Sequence, residues 1–154
     1  MRRAIQRFKY NGEYQRGYDL GYRLGDRVKA VFPGQQIDLI APVPLHPRRY
    51  RSRGFNQSAI VADRLADALH VPVVNPVERV HDTVPQVQLT ARERVVNLQE
   101  AFELDETKAH ALTDKSILIV DDVMTTGATL AAVAGAMQQS GCRRIFGLTL
   151  AREQ

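Results

Sequence analysis

The sequence predicts an α/β fold with a central, mainly parallel sheet and flanking helices. Strand-like and helix-like segments alternate along the chain, which is typical of this class. The most apolar segment, residues 117–120, reads Ile-Leu-Ile-Val without polar alternation. Such a strand is covered on both faces, as in the centre of a parallel sheet. With 154 residues and 44% hydrophobic content, we expect one domain over residues 1–154 with its own core.

The elements follow from hydrophobic spacing and from helix-ending residues. We expect helices over residues 17–31, 58–69 and 129–140, and strands over residues 38–42, 71–74, 117–120 and 145–150. The residues expected to face inward are Leu20, Leu24, Val28 and Val31 in the first helix, Val61, Ala62, Leu65, Ala66 and Leu69 in the second, and Leu130, Val133 and Met137 in the third. Pro33 with Gly34 ends the first helix, and Gly141 is a typical left-handed cap for the third. Residues 75–112 show little clean periodicity.

Charge and cysteine content narrow the function classes. The 21 basic and 17 acidic residues give a net charge of +4, which suits phosphate ligands and would also suit nucleic acid. A single cysteine, Cys142, excludes a disulfide framework and a four-cysteine zinc site, and we expect it to be buried at the start of the last strand. No apolar run approaches the roughly 18 residues of a membrane span, and the N-terminus lacks a signal-peptide core. We therefore expect no membrane span and a cytoplasmic location.

Two acids and a loop rich in threonine follow the apolar strand of residues 117–120. Asp121 and Asp122 fall at its carboxyl end, where ligands bind in open α/β sheets. The next loop runs into a helix, whose first N–H groups favour anions. The residues suited to a phosphate are Thr125, Thr126, Gly127, Ala128 and Thr129. The alternative is a buried strand that ends in an Asx turn, with Thr126 or Thr129 as an ordinary helix cap.

Residues 117–129 resemble, position for position, the phosphoribosyl pyrophosphate (PRPP) motif of the type I phosphoribosyltransferases. This resemblance implies the fold of that superfamily, with a small hood over the site. It also implies that Asp121 and Asp122 hold the ribose 2′ and 3′ hydroxyls, and that residues 125–129 bind the 5′-phosphate. Adjacent carboxylates suit a vicinal diol, and glycine lets the backbone approach an anion closely.

A second functional loop is expected after the first strand, over residues 42–57. Prolines 42, 44 and 47 favour an irregular backbone, and four arginines, Arg48, Arg49, Arg51 and Arg53, lie within six residues. In type I phosphoribosyltransferases the loop at this position binds pyrophosphate, so the resemblance assigns that role to Leu45, His46, Pro47, Arg48, Arg49 and Arg53. A solvated basic turn is the alternative, and a lone histidine between prolines is also typical of a structural or exposed residue.

Several further segments are similar to the ComF/GntX family over roughly residues 5–152. They are residues 9–12, 42–45 and 53–57, with Gln86, Leu89, Arg94, Asn97, Ala101 and Phe102. Members commonly carry an N-terminal four-cysteine zinc module; this sequence has one cysteine, so it either begins after that module or belongs to a protein without it. The resemblance places a hood loop over residues 82–102, with Gln86, Arg92, Arg94 and Asn97 as its polar residues. An amphipathic helix with Arg94 in a salt bridge is the alternative for this segment.

The resemblance implies displacement of pyrophosphate from ribose C1, with Mg²⁺ held through water near Asp121 and Asp122. No residue identifies the acceptor, and ComF-like proteins are linked to competence and gluconate-related processes. Three functions stay open: a phosphoribosyltransferase, a PRPP sensor without turnover, and an accessory factor in transformation that binds single-stranded DNA. Single-stranded DNA or competence proteins are accordingly the candidate macromolecular partners. Tyr14, Tyr18 and Tyr22 suit either base stacking or a half-buried helix seam. Homodimers are frequent in this superfamily, but the sequence does not set the oligomeric state.

Overall fold

The structure is a computed structural model that describes residues 14–81, 98 and 100–152, with side chains from residue 23 onward. The elements are, in order, α1 (Tyr14–Val31), β1 (Leu39–Pro42), α2 (Pro47–Arg53), α3 (Gln57–Leu69), β2 (Val77–Arg79), β3 (Phe102–Leu104), α4 (Glu106–Ala109), a 3₁₀ turn (His110–Leu112), β4 (Ser116–Met124), α5 (Ala128–Met137), a second 3₁₀ turn (Gln138–Ser140) and β5 (Arg144–Arg152). Within these residues no helix combines the length and apolarity that crossing a bilayer requires.

The main sheet has the strand order β1-β4-β5, and both pairings are parallel. Leu39 lies opposite Ile117 and Pro42 opposite Val120, whereas β4 stays paired with β5 as far as Met124. A separate antiparallel pair joins β2 to β3. The predicted α/β class with a central parallel sheet is therefore confirmed, and β4 is its middle strand.

Each face of the sheet carries its own core, which explains why residues 117–120 do not alternate with polar residues. Ile117 and Ile119 belong to a cluster with α5 and the β2–β3 pair. Leu118 and Val120 belong to a second cluster with α1 and α3. All four side chains are essentially inaccessible to solvent. Burying apolar side chains on both faces is a large stabilising term, at about 1.5–3 kcal/mol for each fully buried aliphatic side chain.

Helix α1 begins before the predicted residue 17, and the prediction that Val31 faces inward was wrong. Val28 is buried as predicted, but Val31 is 52% exposed. The reason is that the helix ends there and the next residue, Phe32, takes the inward place, with its ring centroid 4.9 Å from that of Phe146. The side chains of Leu20 and of the three tyrosines, Tyr14, Tyr18 and Tyr22, lie outside the described part.

The predicted strand over residues 71–74 is reduced to a single parallel bridge between Val73 and Ile40. Pro72 has no N–H for a ladder, and its carbonyl accepts one bond from Ile40. The last strand begins at Arg144, so Cys142 lies before it, and the cysteine is half-buried rather than buried. Gly141 has φ +72°, which confirms its left-handed conformation, although it caps the 3₁₀ turn Gln138–Ser140 because α5 itself ends at Met137.

The described parts of residues 75–112 are more ordered than the sequence indicated. Val77 and Phe102, on β2 and β3, are 5% and 4% exposed and pack in the core of the α5 side. The guanidinium of Arg79 lies 5.3 Å from the centre of the Phe102 ring. Strands of three residues are too short to show a period of two, which is why the sequence did not reveal them. The hood prediction for Gln86, Arg92, Arg94 and Asn97 lies outside the described residues.

Candidate ligand site at the carboxyl edge of the sheet

Strand β4 extends beyond β1, and the two predicted acids lie at this step in the sheet edge. The last residue of β1, Pro42, pairs with Val120, so Asp121 is the first residue of β4 without a partner in β1. On its other side Asp121 stays paired with Thr149 of β5. The backbone N–H of Val43 donates to the Val120 carbonyl at 2.9 Å, so the loop after β1 leaves from the same place. The carboxyl ends of two parallel strands thus bring both predicted loops to one edge.

Asp121 is half-buried and firmly held at this edge. Its Oδ1 accepts hydrogen bonds from the hydroxyl of Ser58 at 3.0 Å and from the backbone N–H of Asp122 at 2.9 Å. Burial raises the pKa of the Asp121 carboxyl above its ordinary value, although these two hydrogen bonds act in the opposite direction. No hydrogen bond from the described residues reaches Oδ2. One carboxylate oxygen is therefore fixed by the protein and the other is available to a ligand.

Asp122 is also half-buried, and its carboxyl group is within hydrogen-bonding reach of that of Asp121. Its negative charge contributes to the raised pKa of Asp121. Two adjacent carboxylates with open oxygens can accept hydrogen bonds from neighbouring hydroxyls of one ligand. The arrangement is asymmetric, since the protein anchors the first acid and not the second.

The loop after β4 leaves the start of α5 open to an anion. Gly127 is the N-cap, with φ +83°, and makes no side-chain cap bond. Ala128 N–H donates to Thr126 Oγ1 at 3.3 Å. Thr126 therefore makes a local capping contact, as expected if it acted as an ordinary helix cap. The N–H groups of Thr129 and Leu130 find no acceptor among the described residues. Unpaired first-turn N–H groups and the helix dipole both favour a bound anion.

The centre of the loop after β1 is helical, so the prediction of an irregular backbone there was wrong. Helix α2 starts with Pro47, whose missing N–H costs nothing at that position, and ends at Gly54 with φ +78°. His46 is the N-cap, and its Nδ1 accepts from the Arg48 N–H at 3.3 Å. This contact is the structural role that was one expectation for the histidine. Helix α2 has no buried residue, and its four arginines, Arg48, Arg49, Arg51 and Arg53, are exposed.

The other residues assigned to the pyrophosphate loop differ in exposure. Leu45 and His46 are half-buried, whereas Pro47 is exposed. Arg53 Nη1 donates to Gln57 Oε1 at 3.4 Å, which links the end of α2 to the start of α3. The structure thus places the basic helix between the end of β1 and the start of α3, with its arginine residues exposed.

Two site residues, Asn56 and Ser58, were not singled out by the sequence reasoning. Asn56 is the N-cap of α3: its Oδ1 accepts from the Ser58 N–H at 3.0 Å, and its Nδ2 donates to the Val43 carbonyl at 2.9 Å. Ser58 then bonds Asp121. The capping rule could have identified Asn56, since it directly precedes the apolar periodicity of α3. No local signal predicts the contact of Ser58 with an acid 63 residues away.

The donor set fits a hydrated divalent ion better than a protein-only metal cage. Within residues 14–81, 98 and 100–152, no group of three or more His, Cys, Asp or Glu side chains is arranged to hold a metal ion. The open oxygens of Asp121 and Asp122 are the hard ligands that Mg²⁺ accepts, and this ion keeps several waters and shares the oxygens of a phosphate ligand. The residues present are therefore compatible with Mg²⁺ held through water.

Comparisons with known proteins show which proteins the chain is similar to. The chain is 34% identical over 152 residues to competence protein F of Haemophilus influenzae, covering 96% of this chain and 66% of that protein. It is 38% identical over 112 residues to the DNA utilization protein YhgH of Escherichia coli, covering 72% and 48%. The chain thus spans about half to two thirds of the length of these curated relatives.

The fold is also similar to that of a solved phosphoribosyltransferase. Adenine phosphoribosyltransferase from Saccharomyces cerevisiae, solved with an imino-altritol bisphosphate and adenine, superposes with a TM-score of 0.58 at 21% identity, covering 95% of this chain and 72% of that one. At that identity the likeness shows the fold. Residues 52–153 match the phosphoribosyl transferase domain family, and this range contains Asp121, Asp122, the loop of residues 125–129 and Ser58. The chain belongs to the phosphoribosyl transferase domain family, as a ComF-like protein of the type I phosphoribosyltransferase fold.

Proposed function

We propose that the chain binds PRPP and transfers its phosphoribosyl group to an acceptor that is not yet identified, with release of pyrophosphate. The observation that carries this proposal is the continuity of β4, the acid pair and the open start of α5. Asp121 and Asp122 offer open carboxylate oxygens, and within eight residues the N–H groups of Thr129 and Leu130 lack acceptors. A phosphorylated pentose needs these two kinds of partner close together.

Each part of PRPP has a chemically suited partner in the proposal. The acid pair accepts hydrogen bonds from the ribose 2′ and 3′ hydroxyls, and the first turn of α5 binds the 5′-phosphate. Gly127 adopts a backbone conformation that L side chains rarely adopt, which lets the loop bend beneath the phosphate. The arginines of α2 supply positive charge for the pyrophosphate.

The proposed reaction breaks the bond from ribose C1 to pyrophosphate, which leaves with the bonding electron pair, while the nucleophile of the acceptor forms a new bond to C1 and loses its proton to solvent. Positive charge develops on the sugar, and the nearby carboxylates of Asp121 and Asp122 stabilise it electrostatically. The half-buried setting of Asp121 strengthens this effect, because fewer waters screen its charge. Asp121 and Asp122 would hold Mg²⁺ through water, and the ion would supply charge neutralisation at the pyrophosphate.

Calorimetric titration with PRPP, with and without Mg²⁺, tests the binding part of the proposal. We expect saturable binding that strengthens with Mg²⁺, and no binding of PRPP contradicts the proposal. A screen of bases and amines for pyrophosphate release then tests turnover. Binding with no release for any acceptor indicates the non-catalytic PRPP sensor instead.

A second candidate, binding of single-stranded DNA, is favoured by the surface of α2. Its exposed arginines surround Tyr50, which is 52% exposed and is suited to stacking on a base. The names of the relatives, a competence protein and a DNA utilization protein, agree with a role near DNA. Affinity for an oligonucleotide should then fall steeply with salt, and Arg51→Gln should weaken it and reduce the salt dependence. PRPP affinity should depend far less on salt than DNA affinity does.

A further inference from the structure

Ser58 has a buried hydroxyl that donates its hydrogen bond to Asp121 of the candidate ligand site. The residue is 4% exposed and lies in the first turn of α3. A buried hydroxyl needs a partner, and Ser58 Oγ donates to Asp121 Oδ1 at 3.0 Å. Its backbone N–H is bound to Asn56 Oδ1, so the position of the residue is set independently of Asp121. The contact is therefore a fixed donor directed at one oxygen of the acid.

This donor decides how the Asp121 carboxylate is oriented. With Ser58 Oγ and the Asp122 N–H both on Oδ1, rotation of the carboxylate would break two hydrogen bonds. Oδ2 accepts none from the described residues, so it is the oxygen left for a ligand. Asp122 has no comparable anchor in the described part of the chain. The two acids are thus unequal, and only the first is preorganised by the protein.

We propose that Ser58 is a positioning residue that orients Asp121 to accept a hydrogen bond from a ribose hydroxyl. The inference rests on the proposed function, because it assigns Oδ2 to the sugar of a PRPP-type ligand. Removing the Ser58 hydroxyl leaves only the Asp122 N–H on Oδ1, so the Asp121 carboxylate rotates more easily and spends part of its time facing water. The variant without the hydroxyl then loses affinity for a ligand that carries the recognised sugar hydroxyl, but not for a ligand that lacks it. The reason is that a preorganised carboxylate loses less entropy on binding than a mobile one.

The test compares ribose 5-phosphate with its 2-deoxy and 3-deoxy forms by calorimetry in Mg²⁺ buffer. For the hydroxyl that Asp121 holds, we expect the wild-type protein to prefer ribose 5-phosphate by about tenfold, as for a hydrogen bond to a charged group. In Ser58→Ala that preference should fall to about threefold or less. Ser58→Thr, which retains the hydroxyl, should keep the preference for ribose 5-phosphate near the wild-type value. Circular dichroism should show the same fold for all variants.

Ser140→Ala is the matched control. Ser140 is 7% exposed, and its hydroxyl donates to the Met137 carbonyl at 2.7 Å. This contact lies at the end of α5 opposite Gly127. This variant also loses one buried hydroxyl, but it should keep the full preference. An undiminished preference in Ser58→Ala overturns the inference, as does an equal loss in Ser58→Ala and Ser140→Ala.

A double-mutant cycle separates positioning from general effects. In an Asp121→Asn background, Ser58→Ala should change ribose 5-phosphate affinity by no more than about twofold, because asparagine keeps an oxygen for Ser58 but has no second acceptor oxygen for the ribose hydroxyl. In an Asp122→Asn background its effect should stay near the full value. Equal effects in both backgrounds contradict the inference. If wild-type protein binds neither ribose 5-phosphate nor PRPP, the proposed function itself fails, and the inference fails with it.

Discussion

The side-chain amide of Asn56 donates to the carbonyl of Val43 at 2.9 Å and joins the two ends of the segment that carries the arginine helix α2. The same side chain caps α3 through the N–H of Ser58. Asn56 therefore closes the loop that carries the exposed arginines and also begins α3, the helix whose Ser58 donates to Asp121. The contact connects the basic loop and the acid pair through a short chain of hydrogen bonds.

Replacing Asn56 tests how far these two contacts support the fold. Asn56→Ala removes both, and we expect it to lower the free energy of unfolding by about 1–2 kcal/mol. Asn56→Asp keeps the capping oxygen and loses only the donor to Val43, so a smaller loss is expected. Urea denaturation followed by circular dichroism measures both. Equal losses in the two variants would show that the cap contributes nothing.

Gly127 should be intolerant of a side chain. Its φ of +83° is unfavourable for other residues, and an added Cβ would lie 3.4 Å from Met124 Sδ. We expect Gly127→Ala to destabilise the protein by about 1–2 kcal/mol and to weaken phosphate binding. The measurements are thermal unfolding and titration with ribose 5-phosphate.

Gly135 provides the control on the same helix. It lies in the interior of α5, and an added Cβ would meet nothing within 4 Å. Gly135→Ala should therefore stabilise the protein by about 0.5–1 kcal/mol and leave ligand binding unchanged. A stabilising effect of alanine at position 127 would contradict a positive φ at Gly127.

Asp38, at the opposite end of the sheet from the ligand site, should make the free energy of unfolding depend on pH in the acid range. The backbone N–H of Ser116 donates to its Oδ2 at 2.8 Å, and Arg143 Nη2 lies 2.9 Å from the same oxygen. The Ser116 hydrogen bond and the Arg143 charge lower the pKa of the Asp38 carboxyl below its ordinary value of 3.8. Because the folded pKa is lowered, this stabilisation is present above the ordinary value and is lost as pH falls through the folded pKa.

The variant Asp38→Asn should therefore be less stable than the wild-type protein by on the order of 1 kcal/mol at neutral pH. The difference should shrink as pH falls below about 4, where the wild-type carboxyl also becomes neutral. Urea midpoints measured across this pH range provide the test, and Asp26→Asn, at an exposed position on α1, is the control. A difference that does not change with pH would argue against an ionised Asp38 in the native state.

The sequence predicted those features that depend on local pattern. The unbroken apolar run of residues 117–120 predicted a strand covered on both faces, and Gly141 predicted a helix end, because both signals lie within a few residues. Helix α2 was missed because it has no apolar stripe, although Pro47 and Gly54 are typical start and end residues. The contact between Ser58 and Asp121 joins residues 63 positions apart, and such a contact has no local signature.

The affinity for PRPP of the double variant Asp121→Asn with Asp122→Asn, compared with wild-type protein in Mg²⁺ buffer, tests the central claim most directly. Asparagine is used because Asp121 is anchored by Ser58, and this amide keeps the volume and one acceptor oxygen. We predict saturable binding by the wild-type protein and a loss of about 100-fold or more in a variant that remains folded. A folded variant that binds PRPP as tightly as the wild-type protein would contradict the account.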